Sequence, residues 1–418
     1  MGESSETGQR TYRPGEQSAA RAGVEAVLWV VHPPEVAGPI PLEEPRTVLG
    51  RIVDGEAHPR LGHRTVSRRH LAVEWVAGRG EHTAEDLGSS NGSWVDGRRL
   101  QGSPRPLVNG SVLRLGDVIL VYEQGLALPP EPDGVGREAV PGLSRAARSL
   151  RAAVARLASQ PAPVLLVGEA GVGKETIARE LHRMTGRAGP LVAVSCTELE
   201  GGPAEHQLFG TDAAGAEGTE PAPQGFVRAA TGGTLFLDEV GALSLALQER
   251  LLHLLQEREG GEAGGSEPQP DLHLVTTTQR DLGREVDRQT FNRELHALLS
   301  LWELRVPSLV DRRADLLDWY ARLYRRWAAK RRLAESQPVP ELETAAAEAL
   351  LLAAWPDNLR GLDRVVHRLA VGRLRPQPVT LQELEPLLPV VKRVDHSDEP
   401  APTMRLPIIA DHDESDSD

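Results

Sequence analysis

Lysine is nearly absent from this chain: of 47 basic residues only Lys174, Lys330 and Lys392 are lysines. Genomic base composition accounts for the scarcity, and it makes the placement of each lysine informative. Cysteine is scarcer still. Cys196 stands alone, so no internal disulfide can form, which suits a reducing cytosol. Aromatic residues make up only 4% of the chain. No run of 18 apolar residues exists, which excludes a hydrophobic membrane-spanning helix, and no signal-peptide core is found at the N-terminus. The expectation is a cytoplasmic protein without membrane contact. Basic charge is in deficit too, with a formal net charge of −13. A sequence-independent nucleic-acid binder would carry a basic patch or domain, so the balance counts against nucleic acid as main partner.

What is present is ordinary globular material, 40% hydrophobic and 26% charged over 418 residues, enough for two or three domains. Residues 1–24 are polar and aperiodic and read as a flexible tail. Over 25–124, short apolar runs alternate with turn residues: Ala26–Val31, Thr47–Leu49, Leu71–Val76, Ser93–Val95, Val112–Leu115 and Val118–Tyr122. Asp96-Gly97 and Asn109-Gly110 mark tight turns between them. This spacing predicts a β-sandwich. Residues 125–136, rich in proline and glycine, read as a linker. From 137 to 311 predicted helices and strands alternate, which implies a parallel α/β sheet. From 312 to 392 the pattern is helical only, a small α-domain, and 393–418 is an acidic tail expected to be disordered.

Three loop segments of the first domain carry phosphate-binding chemistry. They are Gly50-Arg51, Ser67-Arg68-Arg69-His70 and the run from Asp86 to Val95 that includes Ser90-Asn91-Gly92. Arginine offers a planar fork of donors to phosphate oxygens, serine hydroxyls donate, and an asparagine amide can grip a peptide backbone. Each piece alone is an ordinary turn. In this order and between predicted strands they resemble the forkhead-associated (FHA) domain. The resemblance implies that Arg51, Ser67, Arg68, Ser90 and Asn91 bind a phosphothreonine peptide, and that His70 and Gly92 hold the loops.

In the second domain, Gly168-Glu169-Ala170-Gly171-Val172-Gly173-Lys174 follows an apolar strand and opens a helix, the context a P-loop needs. Glu175 and then Thr176 follow the lysine, where a P-loop usually has Ser or Thr at once. Some distance on, Gly232-Gly233-Thr234-Leu235-Phe236-Leu237 is an apolar stretch ending in Asp238-Glu239. In a P-loop enzyme such an aspartate holds Mg²⁺ and the glutamate polarises water.

Together with Leu208-Phe209-Gly210 and Trp355-Pro356-Asp357-Asn358-Leu359-Arg360, these segments resemble the AAA+ domain of sigma-54-dependent transcription activators. There a glutamate after the P-loop lysine is normal. The resemblance implies ATP with Mg²⁺ held through Asp238, a ring of six subunits, first-sensor residues Thr278 and Gln279, and Arg360 contacting nucleotide from a helical lid.

The departures from that pattern are specific. The family's Gly-Ala-Phe-Thr-Gly-Ala loop, which engages the sigma factor, reads Ala214-Gly215-Ala216-Glu217-Gly218-Thr219 here. Ser195 replaces the asparagine that positions the catalytic glutamate. At the two trans-acting arginine positions stand Asn292 and Leu298, with Arg293 adjacent as the only arginine finger on offer. After Leu388 the acidic tail stands where the family carries a helix-turn-helix, so no direct DNA-binding domain is expected. A further reading places Thr403, with Leu406 three residues on, as a phosphorylated tail segment that an FHA domain could bind. The departures favour a phosphothreonine-dependent regulator that binds ATP and self-associates but is defective in sigma-54 remodelling, with hydrolysis in doubt. The alternative is an active ATPase that activates sigma-54 RNA polymerase in response to Ser/Thr kinase signals.

Overall fold

A computed structural model of the chain describes residues 24–52, 60–126, 131–132, 134–199, 201, 203–210, 225–260, 271–330, 338–372 and 377–389. The expected tails, with Thr403, and the loop holding Ala216 and Glu217 lie outside the described residues.

The first domain is a two-sheet antiparallel sandwich. One sheet joins β1 (Val24–His32), β2 (Gly38–Pro41), β6 (Ser93–Val95), β7 (Arg98–Arg99), β9 (Val112–Leu115) and β10 (Val118–Leu126) in the order β2-β1-β10-β9-β6-β7. The other joins β3 (Arg46–Leu49), β4 (Leu71–Val76), β5 (Glu81–Asp86) and β8 (Arg105–Leu107) in the order β3-β4-β5-β8. Each apolar run expected to be a strand is one. The pleat sends alternate side chains to opposite faces, so Ala26, Leu28 and Val30 of β1 meet Leu113, Leu115 and Leu120 in the sandwich core. β10 continues through Gly125 and Leu126, so the sheet extends two residues into the expected linker. β1 likewise takes in Val24 from the expected tail.

The second domain is a five-stranded parallel sheet of β11 (Val164–Val167), β12 (Leu191–Ser195), β13 (Thr234–Asp238), β14 (His273–Thr278) and β15 (Glu303–Arg305), ordered β12-β13-β14-β11-β15. Both faces are covered, as a parallel sheet requires. Leu165, Val194, Leu235, Leu237 and Leu274 pack on one side, and Val164, Leu166, Phe236, Val275 and Leu304 on the other. Helices α1 (Arg145–Leu157), α2 (Lys174–Thr185), α3 (Leu245–Gly260) and α4 (Arg293–Leu299) flank it. The lid is α5 (Leu316–Lys330), α6 (Thr344–Leu352) and α7 (Asn358–Gly372), closed around Trp355, which is 1% exposed. Among the described residues no helix is long and apolar enough to cross a membrane.

The two domains are not beads on a string. Val112, Ile119 and Val121, on the outer face of the six-stranded sheet, belong to the same buried cluster as the lid's Ala346, Leu350 and Leu351. Arg114, on that face, pairs with Glu348 of α6 at 2.9 Å with both side chains buried. Its guanidinium lies 3.6 Å from the Trp94 ring centroid. Arg145 of α1 donates to the carbonyl of Glu25, and Arg313 to that of Gly110. Glu123, held above the usual carboxylate range by burial, accepts from Trp29 Nε1 and from the Arg145 amide.

Candidate functional site

Two sites emerge, one at the end of the sandwich and one at the C-terminal edge of the parallel sheet. At the first, β3 runs out at Gly50-Arg51. Gly50 passes so close to the next loop that an added Cβ would meet the Arg68 carbonyl oxygen at 2.0 Å. That approach lets the amides of Arg51 and Ile52 donate to the carbonyls of Ser67 and Arg68. The Arg51 and Arg68 side chains stay exposed. Ser67 Oγ accepts from the Ser90 amide at 3.0 Å, which joins the second loop to the third. Asn91 is exposed and donates through Nδ2 to the Thr65 carbonyl at 2.7 Å. All five expected phosphopeptide residues thus share one loop cluster.

Two polar groups, Asp86 half-buried and His70 buried, hold that cluster. Asp86 accepts from the Gly88 and Ser89 amides and from the Ser89 and Ser93 hydroxyls. Desolvation works to raise its pKa, but these hydrogen bonds prevail and the net shift is downward. His70 is fully buried. Its Nδ1 accepts from the Ser67 amide, so the proton sits on Nε2, which faces the Gly92 carbonyl at 3.0 Å. Burial depresses the His70 pKa below its ordinary 6.5. As pH falls, the unfolded chain takes up this proton before the folded one does. The stability contribution is therefore full above about 6.5 and is lost as pH falls through the lower folded-state value. His32, also depressed by burial, has the same sign. We expect His70→Ala to cost about 1–3 kcal/mol and to flatten the decline in melting temperature between about pH 7 and pH 5. An unchanged pH profile in the variant would show that His70 does not carry it.

At the second site the P-loop follows β11 and opens the 12-residue helix α2. Gly171 and Gly173 have φ of +75° and +105°, a region open mainly to glycine, and the turn aims the loop amides at the helix N-terminus. Lys174, 8% exposed, donates to the carbonyls of Gly168 and Glu169 at 2.8 and 3.2 Å and sits 3.4 Å from Glu239 Oε1. Asp238 and Glu239 end β13, across β14 from the P-loop strand. A cleft of about 850 Å³ beside the loop is lined by Gly168, Glu169, Gln279, Arg305, Ser308 and Asp311. Within the loop, Glu169 is exposed, Ala170 half-buried and Val172 buried. Glu175 turns outward to Arg179, and Thr176 is exposed.

The sensor strand differs in detail from the sequence reading. Thr278 is buried and accepts from the Arg280 amide. It is Thr277 whose hydroxyl donates to Asp238 Oδ1 at 2.5 Å and accepts from the Glu239 amide. Gln279 contributes its amide to Glu239 Oε2 at 3.2 Å. β14 runs to Thr278 and carries Thr277 to the carboxylates.

The lid reaches the loop directly. A Cβ on Gly171 would meet Arg360 Cγ at 3.2 Å, so Arg360 does lie against the P-loop. Asn358 Nδ2 donates to Glu169 Oε2 and the Ala170 carbonyl, while its Oδ1 accepts from the Leu309 amide. Arg312 donates to the Val172 carbonyl, and burial pulls its pKa down to about 10. Neither role was legible beforehand: Asn358 stood only as one letter of the Trp355–Arg360 segment, and Arg312 carried no signal.

Cys196 borders the carboxylates, but burial first, then Asp238 and Glu239, push its thiol up to about 12, so it is no nucleophile at neutral pH. Ser195 Oγ engages Thr197 Oγ1 at 2.8 Å. Asn292 caps α4, accepting from the amides of Glu294 and Leu295, and Leu298 packs on the core. Arg293, in the first turn of α4, is exposed.

Comparison with known proteins agrees with this two-part geometry. Residues 47–116 match the FHA domain and residues 140–305 the Sigma-54 interaction domain. The response regulator protein FleR of Pseudomonas aeruginosa is 36% identical over 245 residues, 57% of this chain and 51% of that protein. The transcriptional regulatory protein ZraR of Escherichia coli is 35% identical over 232 residues, 55% of this chain and 52% of that protein. The chain thus spans about half the length of the curated relatives it matches. NtrX from Brucella abortus, solved in complex with ATP, superposes with a TM-score of 0.51 at 27% identity, covering 61% of this chain and 57% of that one.

Proposed function

We propose, from the union of an FHA domain with a sigma-54 interaction domain in one chain, a cytoplasmic regulator that reads phosphothreonine and binds ATP with Mg²⁺. Arg51, Ser67, Arg68, Ser90 and Asn91 form the phosphopeptide site. The amides of 168–173, Lys174, Glu175, Thr176 and the lid's Arg360 form the nucleotide site, with Asp238 for the metal and Glu239, Thr277, Thr278 and Gln279 beside it. The metal supplies charge neutralisation at the terminal phosphates. The observation that carries nucleotide binding is a lysine cation, the one buried among the described residues, seated in a glycine turn at a helix N-terminus and facing Glu239.

The same reading makes the chain a poor remodeller of sigma-54 polymerase, acting by ATP-dependent self-association into a ring rather than by opening promoters. Asn292 serves as a helix cap and Leu298 as core, so neither supplies the trans-acting cation that is worth roughly a thousandfold or more in rate. Ala216 and Glu217, where the family carries Phe and Thr, offer no ring to bury and add a charge to desolvate. The second reading, an active ATPase at sigma-54 promoters, has one observation in its favour: Arg293 is exposed one position from the expected finger.

An open-complex assay decides between them, using sigma-54 polymerase, ATP, supercoiled template and protein in excess, with ATP turnover followed across a protein concentration series. The expected result is nucleotide binding with turnover near background and no open complexes. Open complexes above the no-protein level would restore the activator reading.

A further inference from the structure

The FHA sheet grips α6, and the P-loop grips the start of the next lid helix, α7. On β9 the pleat turns Leu113 and Leu115 into the sandwich and Val112 and Arg114 onto the lid, where Val112 is fully buried. Helix α6 receives that face. Its residues Ala346 to Leu352 are all buried, and Glu348 meets Arg114 across the contact. Past the end of α6, Trp355 Nε1 donates back to the Leu350 carbonyl at 2.9 Å. Asn358 and Leu359 then bond to the P-loop at Glu169, Ala170 and Gly171. A nine-residue helix spans only about 13 Å, and it is packed along its whole length.

On the other side, the FHA face leads straight to the phosphopeptide loops. Asn91 holds the Thr65 carbonyl. Thr65 Oγ1 accepts from the Asp117 amide at 2.9 Å. Gly116 approaches so closely that a Cβ there would meet Thr65 atoms at 2.7 Å. Asp117 lies 3.4 Å from the Thr344 hydroxyl at the start of α6. A second line runs from Asn91-Gly92 to Trp94, on whose ring Arg114 stacks before reaching Glu348.

We propose that the FHA sheet is a clamp on the lid, through which occupancy of the phosphothreonine loops and occupancy of the P-loop tighten one another. This rests on the functional reading above, which assigns a ligand to each site. A peptide that orders Asn91 and Thr65 holds the Asp117 turn against α6. Nucleotide beneath Asn358 and Arg360 holds the start of α7, which is tied back to α6 through the Trp355 bond to Leu350. Each ligand favours the docked arrangement, and the coupling is reciprocal by thermodynamic necessity. Thr65, Asp117 and Glu348 are positioning residues, since they lie outside both sets of residues assigned to a ligand.

The test uses the full chain, a fluorescent ATP analogue with Mg²⁺, and a phosphothreonine peptide selected from a randomised library, with its unphosphorylated form as control. Saturating phosphopeptide should lower the analogue's Kd about fivefold or more, and saturating analogue should lower the peptide's Kd by the same factor. Glu348→Arg sets two cations face to face across the contact. It should abolish the reciprocal effect and weaken the analogue and the peptide alike when each is measured alone. The swap Arg114→Glu/Glu348→Arg should restore coupling. Should Glu348→Arg not fold, hydrogen exchange in the wild type carries the test: phosphopeptide should slow exchange across 344–352, and unaltered exchange there overturns the clamp. Two ligands that each bind without altering the other's affinity overturn the clamp and leave the functional reading standing. Absence of any phosphothreonine-dependent binding, or of analogue binding, overturns the functional reading itself and the clamp with it.

Discussion

Lys174→Ala is expected to weaken ATP binding in the presence of Mg²⁺ by about ten- to a hundredfold, the worth of a charge-assisted contact of about 1.5–3 kcal/mol. The side chain is 8% exposed and is steered by the carbonyls of Gly168 and Glu169 toward Glu239. Arg312, buried on the Val172 carbonyl, cannot take its place from beneath the loop. The substitution also leaves Glu239 facing the site with the Gln279 amide but no cation at 3.4 Å, which adds repulsion toward a polyphosphate. Titration calorimetry measures the effect. Equal affinity in variant and wild type would mean that nucleotide does not sit at this loop. A wild-type chain showing no binding at about millimolar nucleotide would mark the loop as vestigial.

Arg51→Ala should reduce phosphothreonine peptide affinity by about 30-fold to several thousandfold, the cost of truncating one partner of a hydrogen-bonded charge pair of about 2–5 kcal/mol. The geometry separates this loss from any loss of fold. Arg51 is tied into the loop by its backbone, whose amide donates to the Ser67 carbonyl, while its side chain is exposed. Alanine keeps that amide and removes only the fork. Arg51→Lys should recover part of the affinity, because an ammonium keeps the charge but not the bidentate geometry. Calorimetry with a peptide that binds the wild type, and with its unphosphorylated form, reads both. Undiminished affinity in Arg51→Ala would remove this arginine from the phosphate site.

Local chemistry was legible wherever it was written in contiguous residues. The apolar runs Val112–Leu115 and Val118–Tyr122 mark strands because they are short, rich in strand-forming residues and bounded by turn residues. Gly168–Lys174 declares its loop because two glycines with positive φ and a lysine at a helix start serve one local geometry. The loop cluster of Arg51, Ser67, Arg68, Ser90 and Asn91 was legible for a related reason: its three segments are each short turns, and their order along the chain resembles a known arrangement. Asn292 shows the limit. Its identity reads as a missing arginine, and only the structure supplies the positive reason for asparagine there, two amide donors at the start of α4.

By itself, then, the sequence determined the two domain types, the order of their elements, and which loops bring the candidate residues Arg51, Ser67, Ser90, Asn91 and Lys174 to the surface of each site, because these depend on spacing and short-range sterics. Tertiary structure alone decided what faces what. In β9 the pattern Val-Leu-Arg-Leu names no partner for Arg114. The fold buries that arginine on Trp94 and against Glu348 of a helix far along the chain. Thr277 rather than Thr278 reaches Asp238 because the β13–β14 register sets Leu237 opposite Thr276 and so brings the next residue beside Asp238. Asn358 acquires its role from the lid's closure onto Glu169 and Ala170. Each of these is a contact between residues distant in sequence, whose partners no local period can announce. The cost of leaving a charge or an amide buried without one is what makes the fold select them.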